Sequence, residues 1–161
     1  WNTWGAVVWP DYTPHARSVV TIEADVPRAD VAVMALGTNQ LWDGWQASDQ
    51  ADLNQFLRAL GSPPCTVLVS YASGGPVLDL FGQPNLAYPP AETLGNAALA
   101  AAAKSRTAFG APTVVIDWGK VAKATPGTFG WDNVHHTDAG DVLWANWMKG
   151  ELTRLTRRAC R

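Results

Sequence analysis

The chain has 161 residues, 47% of them hydrophobic and 16% charged, with a formal net charge of -2 and a pI near 5.8. That length can bury a core as one domain spanning residues 1–161, and the apolar content excludes wholesale disorder. With no basic stripe to neutralise phosphates, nucleic acid is excluded as a partner, and no apolar run reaches the about eighteen residues a membrane span needs. In chain order, Trp4 to Trp9 reads as the end of a strand, and Thr13-Pro14 opens a helix that Pro27 stops after Val26. Ala29 to Gln40 is a short, apolar, buried strand ending in Gly37-Thr38-Asn39. Ser48 to Leu60 carries acids early and Phe56, Leu57 and Leu60 late, which predicts a capped amphipathic helix ended by Gly61. Cys65 to Ser70 is the next strand, Ala91 to Phe109 an Ala-rich helix, Thr113 to Asp117 a further strand, and Thr137 to Arg158 the closing helix. The alternation predicts an α/β fold with three layers, a mainly parallel, doubly wound sheet and a crevice at the strand C-terminal ends. Asn39, Ser70, Asp117 and His135 all fall at that edge.

Trp131-Asp132-Asn133-Val134-His135-His136-Thr137 places an acid and an imidazole three residues apart in a loop before a long helix. A carboxylate so fixed can hold a histidine tautomer and stabilise the imidazolium, the back half of a charge-relay site. The same spacing also suits a helix-entry turn in which Asp132 bonds nearby amides and His135 only packs. Gly37-Thr38-Asn39 likewise has two readings. Asn39 can aim its amide into the crevice with Gly37 admitting substrate to the backbone, or both residues serve the turn.

Together these segments resemble the SGNH (GDSL-type) hydrolases, whose third block is Gly-x-Asn-Asp and whose fifth is Asp-x-x-His, here Gly37-Thr38-Asn39-Gln40 and Asp132-Asn133-Val134-His135. The resemblance implies a serine ester hydrolase, an esterase, lipase or acetyl esterase needing no cofactor. In it His135 is the general base, Asp132 its orienting partner, Asn39 an oxyanion-hole donor and Gly5 the second-block glycine of that hole. Gln40 departs from the family's Asp. The first block, Gly-Asp-Ser with the nucleophile, is not in the sequence. The resemblance therefore covers the C-terminal three-quarters of such a domain, and a chain starting after its nucleophile is expected to need a complementary N-terminal segment or a dimer partner. Ser70 and Ser73 end an apolar run, but no Gly-x-Ser-x-Gly elbow surrounds them, so they read as loop or pocket residues.

Four of the nine tryptophans, Trp42, Trp45, Trp118 and Trp131, cluster by topology about the crevice, where aromatic walls suit an acyl chain or a sugar face. Gly37, Trp42, Ser70 and Trp131 are the expected substrate contacts, while Trp144 and Trp147 read as core. No third ligand at metal spacing joins His135 and His136, so no metal site is expected. Cys65 and Cys160 suit one disulfide tacking down the C-terminus, or two thiols in a cytoplasmic protein. The lysine-poor, Trp-rich composition favours a secreted or cell-envelope protein. A second function class is a catalytically inactive SGNH-like module that binds glycan or lipid, or a partner-binding scaffold.

Overall fold

A computed structural model of the chain describes residues 31–35, 38–60 and 65–156. Gly5, the helix expected after Pro14, Gly37, Cys160 and the Asn39 side chain lie outside the described residues. Among the described residues, three parallel strands, β1 (Ala32–Met34), β2 (Thr66–Val69) and β3 (Thr113–Ile116), form a sheet in the order β1-β2-β3. Ala32 pairs with Thr66, and Thr66 with Thr113, so the three strands stay in step. All four residues of β2 are buried, as expected of a strand covered on both faces, which is why it reads as an unbroken apolar run.

Among the described residues, four helices cover the sheet: α1 (Ala47–Ala59), α2 (Tyr88–Ala108), α3 (Trp118–Ala124) and α4 (Asp138–Thr156). Leu68 of β2 joins Met34, Leu53, Phe56 and Leu99 in one core, beneath α1 and α2. Val67 and Val69 point the other way and join Ile116, Trp118, Ala122, Leu152 and Leu155, beneath α3 and α4. Two cores on opposite sides of one sheet make the three layers of an α/β domain. No described helix is long and apolar enough to cross a membrane.

The strand expected over Ala29 to Gln40 is shorter than its apolar run. It gives way to a 3-10 helix over Thr38–Asp43. That coil tucks Leu41, fully buried, and Trp42 against the same core, whereas an extended chain would send them to opposite faces. Helix α1 is capped at Gln46 rather than at Ser48: the Gln46 N–H donates to Asp49 Oδ2 at 2.6 Å. Helix α2 starts at Tyr88, three residues ahead of Ala91. Pro89 and Pro90 sit in its first turn, where a missing N–H costs nothing, and Asn85 Oδ1 accepts from the Ala87 and Tyr88 amides at 3.0 and 3.2 Å. Helix α3, absent from the sequence expectation, is seeded by Asp117, whose side chain accepts from Lys120 N.

Glycine and alanine let α2 lie close on the sheet. A Cβ built on Gly95 would stand 2.8 Å from the Tyr71 ring and 3.1 Å from Trp45. The next residue, Asn96, accepts from Tyr71 N at 2.8 Å and donates to Tyr71 O at 3.1 Å. The side-chain amide thus continues the ladder where β2 ends and fixes the path of residues 70–73.

Candidate functional site

The segment between α3 and α4 is a loop closed at its base. Phe129 and His136 form an antiparallel bridge, Gly130 N donates to His135 O at 2.7 Å, and Asn133 N donates to Gly130 O at 3.1 Å. Asn133 takes a left-handed φ of 61°, which asparagine tolerates better than most residues, and its side chain donates to Pro76 O at 2.8 Å. Gly74 N and Leu78 N donate to the carbonyls of Asn133 and Asp132. The loop after β2 therefore clamps the Asp-His loop from one side. Helix α4 holds it from the other: Gly140 N donates to Thr137 Oγ1 at 3.0 Å, and Thr137 Oγ1 donates to Gly127 O at 2.6 Å. A Cβ on Gly140 would fall 2.0 Å from Thr128 O, so the helix enters against bare backbone.

Within this frame both expected uses of Asp132 occur at once. The residue is 5% exposed. Its Oδ1 accepts from Val134 N and His135 N, each at 3.0 Å, while Oδ2 lies 2.5 Å from His135 Nδ1. Burial alone would raise the carboxyl's pKa, but the His135 imidazole and the two amides outweigh it and hold Asp132 below its ordinary value. An ionised Asp132 keeps the proton on His135 Nδ1, which leaves the Nε2 lone pair free to act as a base. The His135 side chain is 75% exposed, so that nitrogen is open to an incoming group.

Ser70 and Ser73 are not joined to this pair. Ser70 Oγ donates to Asp117 Oδ1 at 3.2 Å and accepts from Gly119 N at 3.3 Å. Ser73 Oγ donates to the buried Glu92 at 2.6 Å, and Lys123 Nζ donates to the other oxygen of Glu92 at 2.7 Å. Both hydroxyl protons are committed to carboxylates other than Asp132.

A cavity of about 150 Å³ opens at the C-terminal ends of the strands. Ala35 and Thr38 after β1, Ser70 after β2 and Trp118 after β3 contribute to it, as do Val134 and His136 on either side of His135. His136 itself packs among Trp118, Phe129 and Trp144 at centroid distances of 5.3, 5.5 and 5.9 Å, with Nδ1 3.2 Å from Asp141 Oδ1.

Of the residues expected at this edge, Ser70 lines the cavity and bonds Asp117, His135 stands between the lining residues Val134 and His136, and the Asn39 side chain lies outside the described residues; Trp118 lines the cavity as well. Trp42 instead packs edge-on against Tyr88 at 5.8 Å, Trp45 packs against Tyr71, and Trp131 projects to solvent beside Asp132. Trp144, read as core, and His136 line the cavity. The available signal was the placement of Trp144 two turns into a helix that starts at the site loop. Compared with known proteins, the chain matches no family model, no curated protein and no solved structure.

Proposed function

We propose that the chain carries the histidine and aspartate of an SGNH-type serine ester hydrolase, with the nucleophilic serine supplied from outside these 161 residues. The carrying observation is the Asp132–His135 pair: a buried carboxylate locked by two backbone amides, bonded to an imidazole whose second nitrogen faces solvent. That is the arrangement a general base requires, and it lies at the edge of a parallel sheet where α/β folds place their sites. The strand order agrees with the reading. In the flavodoxin-like order 2-1-3-4-5, three consecutive parallel strands in the order β1-β2-β3 correspond to the last three, and the first strand of the fold lies beside β1.

In the proposed reaction the serine oxygen attacks the ester carbonyl carbon as His135 Nε2 takes its proton. Asp132 stabilises the imidazolium, and His135 returns the proton to the departing alcohol oxygen. Water then attacks the acyl-serine with the same base. Asn39 and backbone N–H groups are assigned to the oxyanion, a role worth about 10²–10³ in rate per donor.

A fluorophosphonate probe followed by denaturing intact mass, with His135→Ala as control, tests the assignment. An adduct on a companion segment supports it. An adduct on this chain that is lost in the variant keeps the mechanism and relocates the serine. No adduct under either condition overturns the hydrolase. It would favour a non-hydrolytic module binding glycan or lipid, a reading supported by the exposed Phe81 and Trp131.

A further inference from the structure

The cavity at the strand ends limits what this site accepts. Its surface is apolar over somewhat more than half, drawn from Ala35, Val69 and Val134, with the indoles of Trp118 and Trp144 meeting edge to face at 4.9 Å. Two of the polar side chains at its margin are already engaged: Ser70 Oγ holds Asp117 and Gly119, and His136 Nδ1 faces Asp141. Among the described residues no lysine or arginine lines it, so an entering carboxylate or phosphate would shed its hydration without gaining a countercharge from them. Its volume, about 150 Å³, equals that of an engineered protein cavity that takes up benzene, a guest of about six heavy atoms. It is lined by Val134 and His136, the residues immediately before and after the proposed base His135.

We propose that this cavity seats the acyl chain of the substrate and holds up to about six of its carbons, so that longer chains gain nothing further from it. The proposal rests on the ester-hydrolase reading and names its substrate class: esters whose acyl chain is uncharged.

Uncleavable amides test the cavity without turnover. The ¹⁵N-indole resonances of the full chain, assigned by single Trp→Phe variants, are followed during titration with acetamide, butanamide, hexanamide and octanamide. The Trp118 and Trp144 signals are expected to shift and saturate, with Trp45 on the opposite face unmoved. Affinity should rise about fourfold per added methylene up to hexanamide and rise no further for octanamide. Absence of shifts with all four amides, or a gain that continues through octanamide, would overturn the proposal.

Ala35→Leu narrows the cavity from an exposed position. It should weaken hexanamide about tenfold and leave acetamide within about twofold. Unchanged hexanamide binding in that variant would count equally against the cavity. The two readings fail separately: a serine adduct without amide binding removes only the cavity's role, whereas amide binding without any adduct removes the hydrolase and with it the acyl assignment.

Discussion

Asp132 divides its oxygens between structure and chemistry, so two substitutions there should part company. In Asp132→Asn the side-chain oxygen can still accept from the Val134 and His135 amides, but the new NH₂ would meet His135 Nδ1. The imidazole proton would then move to Nε2. Under the proposed mechanism, kcat should drop by about 10⁴, with a smaller loss of stability than Asp132→Ala brings. Asp132→Ala also abandons both amides and should cost about 1–3 kcal/mol in urea unfolding. Because the folded carboxyl titrates below its unfolded value, its contribution is complete above that value and drains away as pH falls through the depressed one. The gap in urea midpoint between wild type and Asp132→Asn should therefore be flat above about pH 5 and close as the pH falls below about 4. Tyr88 makes a different case. It is fully buried, its hydroxyl has no partner among the described residues, and burial, with the charge of Glu92, raises its pKa. Tyr88→Phe removes a desolvated polar group while keeping the ring, so thermal unfolding should show stability unchanged or raised by about 1 kcal/mol.

At the scale of elements, two glycines separate propensity from packing. Gly95→Ala in α2 would gain helix propensity but drive a methyl group into Tyr71 and Trp45, and should cost about 1–3 kcal/mol. Gly150→Ala in α4 meets nothing within 4 Å and should gain about 0.5–1 kcal/mol, so opposite shifts in thermal midpoint are expected for the same substitution. Cys65, fully buried at the head of β2, is the proposed partner of Cys160. Such a bridge closes a loop of nearly a hundred residues, and its reduction should cost about 4 kcal/mol, read as reductant-dependent urea unfolding together with alkylation mass. The long elements were legible because each carries one period: β2 and β3 as apolar runs, α1 by its apolar rows. Helix α3 was not, because seven residues containing a glycine span less than two full turns, too short to show an apolar period, and only Asp117 announces it. The 3-10 turn was hidden because Leu41 and Trp42 continue the apolar run of β1 and only their packing decides how the chain coils.

Across the whole molecule, the sheet divides the aromatic residues in a way that spacing does not encode. Trp42 and Trp45 lie with one core, and Trp118, Trp144 and Trp147 with the other, because a helix's own periodicity says which side is apolar but not which face of the sheet it lands on. The Asp132–His135 pair was legible because both its partners lie within four residues. The cavity was not, because it draws on β1, β2, α3 and α4 together. The surface carries a liability of its own. Leu80, Phe81 and Leu86 are 88, 87 and 83% exposed on a turn held by Asp79, whose Oδ1 accepts from Phe81 N and Gln83 N. A Leu80→Lys/Phe81→Lys variant should self-associate less by light scattering while its thermal midpoint stays put. The contact between Gly140 and Thr128 reaches beyond this one chain. A side chain at position 140 has nowhere to go, whatever the loops around the site become, so that position should stay glycine throughout its descent while Leu80 and Trp131 drift. Gly140, five residues past His135, is thus the fixed point from which distant kin can be registered.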